Sequence, residues 1–129
     1  MKLQEINMEK YIAYVLDQSS RDVLKAKFPP KYPTFVGHHV TYQFGVPEGT
    51  ELPPPAQLRV VGYVDSGDGL EALVVSVSGS TARQDGKIYH LTWSLDSGKY
   101  KPVDSNTLLK AKRYTIIRSI PINGNPELL

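Results

Sequence analysis

The tetrapeptide His39-Val40-Thr41-Tyr42 returns later in the chain as His90-Leu91-Thr92-Trp93, and this repetition constrains the fold more than any other feature. Side chains alternate faces along a β-strand, so positions one and three of each tetrad share one face and positions two and four the other. Each strand would then have one apolar, packable face and one face carrying an imidazole beside a hydroxyl. A single His-x-Thr on a strand is commonplace. Two of them, in a chain with only three histidines, predict a fold that brings both strands to one site. His38 adjoins His39 but is expected on the opposite face of a regular strand, away from that site.

The remaining segments read as a scaffold for these strands. Residues 11–16, rich in β-branched and aromatic side chains and almost continuously apolar, predict a strand buried on both faces. Asp17-Gln18-Ser19-Ser20 offers caps for a helix over 21–28, with Lys25 and Lys27 near its C-terminus and Pro29-Pro30 ending it. A proline-punctuated loop over 31–37 leads into the first histidine strand. The run from Pro47 to Pro55 predicts a surface loop. Strands over 57–64 and 70–78 flank the turn Asp65-Ser66-Gly67-Asp68-Gly69, a hairpin pattern. A polar loop over 79–86 precedes the second histidine strand, 87–95. Asp104-Ser105 offers a cap for a short helix over about 106–112, followed by a strand over 114–120 and a frayed tail over 124–129. The order is β-α-β, then β-β-β-α-β. Each half combines a helix with strands and holds one tetrad, which predicts a pseudo-symmetric α+β fold with a cleft between the halves.

Composition narrows the function classes. A chain of 129 residues suits one domain spanning 1–129. It has no cysteine, which excludes disulfides, thiolate nucleophiles and cysteine-ligated zinc. A formal net charge of only +2 argues against a polyanion-coating surface, while leaving room for a small anionic ligand. The polar stretch from Met1 to Lys10 lacks the apolar segment of a signal peptide. No apolar run approaches the length that spans a bilayer. Cytoplasmic residence and no membrane partner are therefore expected.

Paired imidazoles suit phosphoryl chemistry. Histidine titrates near neutrality, so one of a pair can remove a proton from an attacking oxygen while the other protonates the departing one. A threonine two residues on can donate its hydroxyl to a non-bridging phosphate oxygen. Such a cradle needs neither metal nor organic cofactor. A metal centre from His38, His39 and His90 would require the two neighbours to converge, which a regular strand disfavours.

The two tetrads resemble the His-hydrophobic-Thr/Ser-hydrophobic signature of the two-histidine (2H) phosphoesterase superfamily, which includes LigT-like 2′-5′ RNA ligases and RNA cyclic phosphodiesterases. The match is specific at these eight positions and topological from about Tyr11 to Ile120. The resemblance implies a bilobal α+β fold with two small antiparallel sheets, a central cleft and flanking helices. It implies that His39 and His90 are the acid–base pair, and that Thr41 and Thr92 bind the substrate phosphate. The expected activity is metal-independent hydrolysis of a 2′,3′-cyclic phosphate, a 2′-5′ linkage or a cyclic oligonucleotide, with a nucleotide or RNA end as partner. Some phage members of the group degrade cyclic oligonucleotide signals of bacterial immunity, and the compact length of this chain would suit a viral protein. The chain departs from typical members in its shorter length, its tighter motif spacing and its lack of a helix before the second histidine strand. The alternative is a non-catalytic nucleotide- or RNA-binding module on the same fold.

Other residues offer weaker signals. Arg83 and Lys87, just upstream of the second tetrad, are candidate phosphate contacts, against the alternative of ordinary solvated loop charges. Tyr42 and Trp93 are expected to pack in the core behind the site. Tyr14, Tyr32 and Tyr89 are candidates for stacking on a base. Gly67-Asp68-Gly69 is hairpin chemistry without the Lys-Ser/Thr of a phosphate loop.

Overall fold

The computed structural model describes residues 10–129; the polar leading stretch, residues 1–9, lies outside the described residues. The elements in order are β1 (Lys10–Leu16), α1 (Gln18–Lys27), β2 (Thr34–Phe35), β3 (His39–Val46), β4 (Leu58–Asp65), β5 (Leu70–Val77), β6 (His90–Leu95), α2 (Asp104–Ala111), β7 (Thr115–Ile122) and β8 (Gly124–Leu128). They form an α+β fold with a three-stranded sheet, β3-β1-β8, and a five-stranded sheet, β2-β6-β5-β4-β7. All the strand pairings are antiparallel.

Local chemistry explains the helices. Asp17 caps α1 by accepting from the Ser20 backbone amide at 2.8 Å, and Lys25 and Lys27 lie in its last turn, where the helix dipole favours cations. The second helix begins earlier than the sequence suggested. Asp104 sits inside its first turn, and its carboxylate instead accepts from the Lys101 amide at 2.8 Å.

Two segments depart from the sequence reading. The predicted C-terminal tail is β8, an edge strand paired with β1 from Ile12↔Leu128 to Leu16↔Gly124. The predicted loop before His39 contains β2, which pairs with the end of β6 through Thr34↔Leu95 and Phe35↔Ser94. Both strands are short and lack alternation of their own. They form because a neighbour presents unpaired backbone groups, which propensity cannot register.

The segment 34–46 changes sheets partway along. Val36 and Gly37 donate backbone bonds to the carbonyls of Trp93 and Thr92, at 2.9 and 3.0 Å, continuing the pairing of β2 with β6. One residue later the His38 carbonyl accepts from Leu16 at 3.0 Å, and β3 then runs against β1. The switch occurs at Gly37, where φ is +45° and a Cβ would overlap the Phe35 ring and touch Trp93. Glycine tolerates this left-handed conformation and the crowding. A second crossing lies between β7 and β8. There Asn123 donates to Ser20 Oγ at 2.8 Å and accepts from the Asp17 amide at 3.1 Å.

One apolar core joins the two sheets. Tyr14, Leu16 and Val40 of the small sheet pack with Leu58, Val60, Leu73, Val75, Leu91 and Trp93 of the large one, with Leu24 of α1 among them. On the other face of the large sheet, Val64, Ala72 and Val74 pack with Leu109 of α2. The second and fourth positions of the tetrads thus face the shared core: Val40, Leu91 and Trp93 are fully buried there, and Tyr42 packs against it. The Trp93 indole N–H also reaches the Phe28 carbonyl at 2.7 Å.

If Gly37 is the hinge between sheets, Gly37→Ala should combine left-handed strain with overpacking and cost about 2–5 kcal/mol. Gly49→Ala should cost only about 1–2 kcal/mol, because Gly49 has φ +86° but no neighbour within 4 Å of a Cβ. Urea unfolding of the two variants checks the difference; equal losses would contradict this role for Gly37.

Candidate active site

Strand register places the polar faces. Directly opposed residues of an antiparallel pair lie on the same face, so the pairs Val15↔His39 and Ala13↔Thr41 put His39 and Thr41 on one side of the small sheet. Tyr14↔Val40 occupies the core side. On the large sheet, Val74↔His90 and Ala72↔Thr92 put the second pair on the face away from the shared core. Because Gly37 lays the start of β3 beside β6, these faces meet at a seam.

A cavity of about 280 Å³ lies at that seam, lined by His39, Thr41, His90 and Thr92. The structure therefore brings all four predicted residues to one place. Tyr11, Phe44, Arg83, Pro102, Val103 and Asn106 complete the lining. Phe44 reaches this side because β3 is bulged. Ile12 pairs with Gln43 and Ala13 with Thr41, leaving Tyr42 as the extra residue. One extra residue reverses the alternation beyond it. Tyr11 then pairs with Phe44, their rings 5.2 Å apart, and Tyr11 lies 5.4 Å from the His39 ring.

The aromatic residues expected to stack on a base are elsewhere. Tyr14 is buried in the core, Tyr32 donates its hydroxyl to Asp65 at 2.5 Å, and Tyr89 is buried with its ring stacked on Tyr42 at 6.3 Å. Tyr11 is the aromatic the sequence reading missed. Alternation puts it on the face of Ala13 and Val15, but the sequence does not say which face of this doubly apolar strand meets the site.

His90 is held in one orientation. Its Nδ1 lies 2.7 Å from the Ile88 carbonyl. A carbonyl only accepts, so Nδ1 carries the proton in the neutral ring and Nε2 holds the lone pair. Burial pushes its pKa below the usual histidine value; the Ile88 bond opposes that shift, and the Arg83 charge adds to it. For His39 the fall reaches about 4, chiefly from burial, with smaller contributions from His38 and His90. Both imidazoles therefore favour the neutral form at pH 7.

The threonines differ. Thr41 makes no hydrogen bond to another described residue through its hydroxyl. Thr92 Oγ1 donates to the Pro102 carbonyl at 3.1 Å and shares a 2.8 Å bond with Ser105 Oγ. Thr92 thus ties β6 to the start of α2 and sets Val103 and Asn106 at the cavity rim.

Arg83 is no solvated loop charge: its side chain is 1% exposed. Its Nε and Nη2 bond both carboxylate oxygens of Asp85 at 2.9 and 3.0 Å, and its guanidinium lies over the Phe44 ring at 5.6 Å. The third nitrogen, Nη1, is buried and has no hydrogen-bond partner among the described residues. Lys87 does not line this cavity. It borders an adjoining groove of about 570 Å³ between the 85–88 turn and α2, which shares Val103 and Asn106 with the histidine cavity.

The expectation for His38 is corrected. Gly37 displaces the chain, β3 begins only at His39, and the His38 ring turns toward its neighbour. The two Nδ1 atoms lie 2.9 Å apart, with the rings at 82°. The divergence argument against a shared metal site therefore does not hold for this pair. Even so, among the described residues no group of three or more His, Cys, Asp or Glu side chains is placed to hold a metal ion. Glu71, the buried carboxylate of β5, is saturated by the Tyr63 and Ser94 hydroxyls and the Lys31 amide and takes no part in the cavity. Among the described residues no helix is long and apolar enough to cross a membrane.

No protein-family model matches the chain, and no match was found among curated proteins or solved structures.

The depressed His39 pKa makes stability depend on pH. The unfolded chain binds a proton near 6.5 and the folded one only near 4, so stability is full above about 6.5 and declines as pH falls toward 4. The loss attributable to His39 is up to about 3 kcal/mol. Urea midpoints between pH 7.5 and 4.5 should fall less steeply in His39→Asn than in wild type; parallel profiles would contradict the assignment.

Proposed function

We propose that the chain is a metal-independent phosphodiesterase of the 2H phosphoesterase kind, acting on a cyclic phosphate or a 2′-linked nucleotide. The observation that carries this reading is the convergence of both tetrads, from different sheets, on one cavity whose lining also includes Arg83. Its Nη1 has no hydrogen-bond partner among the described residues, and a buried donor without a partner is costly and rare. A phosphate oxygen would satisfy it with a charge-assisted bond once the guanidinium turns toward the cavity.

In this mechanism the substrate phosphate sits between the two imidazoles, with Arg83 Nη1 and the Thr41 hydroxyl on its non-bridging oxygens. The His90 tautomer, fixed by Ile88, leaves Nε2 able to take a proton from the attacking water. His39 then serves the departing sugar oxygen. Thr92 reaches the phosphate only by turning its hydroxyl away from Pro102, with Ser105 as the partner that remains. The Tyr11–Phe44 wall offers apolar surface to the nucleoside, whose base can stack there. A site of neutral imidazoles and one guanidinium favours an anion, which in turn raises the proton affinity of both histidines.

The test is hydrolysis of a panel of 2′,3′-cyclic nucleotides, 2′-5′ dinucleotides and cyclic oligonucleotides in the presence of EDTA. Turnover should survive the chelator and fall by about 10²-fold or more in His39→Ala and in His90→Ala. Arg83→Gln should lower kcat/KM by about 10- to 100-fold. Binding of panel members without turnover would favour a nucleotide-binding module instead, and neither binding nor turnover would refute both readings.

A further inference from the structure

We propose that His38 is a positioning and proton-supplying residue, which holds His39 with its proton on Nε2 and restores that proton through the Nδ1–Nδ1 contact. The inference rests on the phosphodiesterase reading for its catalytic half and on geometry alone for its tautomeric half. A phosphoryl transfer run by two histidines needs one ring nitrogen bearing a lone pair and one bearing a proton. The Ile88 carbonyl settles His90 as the former. His39 has Nδ1 occupied by His38 at 2.9 Å, so Nε2 is the nitrogen left for the cavity. One proton lies between the two Nδ1 atoms. If His39 donated it, both cavity nitrogens would be bare and no acid would remain. If His38 donates it, His39 Nε2 carries the proton the departing oxygen needs.

The relay also resolves a difficulty in the site. A buried ring kept neutral cannot give up a proton unless it gains another at the same time. His38 is exposed and can exchange protons with solvent; His39 is partly buried against Tyr11. In the balanced step, water attacks phosphorus and loses a proton to His90 Nε2. The bond from phosphorus to the departing oxygen breaks, its electron pair stays on that oxygen, and the oxygen takes the Nε2 proton of His39. Nδ1 of His39 simultaneously accepts the proton on His38 Nδ1, and the exposed His38 ring takes one from solvent on Nε2. After product leaves, His39 Nε2 takes a proton from entering water and Nδ1 returns its own to His38, while His38 Nε2 and His90 each release a proton to solvent.

Two measurements decide this. The first is NMR of ¹⁵N-histidine-labelled protein without substrate. Wild type and His38→Asn, whose amide can still donate, should show His39 protonated on Nε2, and His38→Phe should show a mixture of tautomers. A wild-type His39 protonated on Nδ1, or an unchanged tautomer in the Phe variant, overturns the assignment. The second compares bis(p-nitrophenyl) phosphate, whose leaving group needs no proton, with the panel substrate that wild type hydrolyses fastest. Both His38 variants should lose roughly 10- to 100-fold in kcat on the nucleotide, with KM little changed and the p-nitrophenyl diester affected by less than about 2-fold. Equal losses on both substrates, or no loss in His38→Asn, overturn the relay. Absence of wild-type turnover would instead remove the phosphodiesterase reading, and the NMR result would still decide the role of His38 in fixing His39.

Discussion

The structure depends on one backbone event, the left-handed turn at Gly37 that takes an extended segment out of one sheet and into the other. Before it, Val36 and Gly37 complete the edge of the large sheet; after it, His38 and His39 begin the edge of the small one. The second crossing, at Asn123, ties the other end of the small sheet to α1. Two sheets joined this way share an apolar core on one side. On the other, their polar faces must meet along a seam. The tetrads are compatible with this arrangement because each pairs two core-facing apolar positions with two seam-facing polar ones.

Burial then determines what the seam can bind. Removing imidazoles from water disfavours their charged forms, so His39 and His90 enter the site neutral. The cationic side chain in the cavity lining belongs to Arg83, which Asp85 holds by two of its three nitrogens. A buried arginine without such a partner would be strongly destabilising. Here the carboxylate makes burial tolerable, and the geometry leaves Nη1 directed away from it. The result is a cavity close to neutral overall, with a buried guanidinium in its lining. A guanidinium held by a carboxylate costs less to align than a solvated lysine would.

The legible part of this design was periodic. His39, Thr41, His90 and Thr92 were found because alternation along a strand is local and the pattern occurs twice. Helix α1 was found because its cap and its terminal lysines are also local. What remained hidden was produced by departures from periodicity. The extra residue at Tyr42 sends Phe44 to the cavity side, and the displacement at Gly37 turns His38 toward His39; both bulge and displacement reflect pairing with distant strands. Tyr11 was concealed because a run apolar on both faces does not announce which face meets a site. Arg83 is a candidate from its place upstream of the second tetrad, but the sequence does not separate it from Lys87; its burial and its fork to Asp85 do. β8 reads as a tail in the sequence because an edge strand is recruited by its neighbour, with little contribution from its own propensity.

The central claim is that His39 and His90, placed on different sheets, serve one phosphate. It is tested most directly by titrating the ¹⁵N-histidine-labelled protein with inorganic phosphate and following the ring nitrogens of all three histidines. The account predicts that His39 and His90 shift together along a single saturation curve, each moving toward its protonated form, and that Arg83→Gln weakens both responses equally. Shifts confined to one of the two, or independent curves for them, would contradict it.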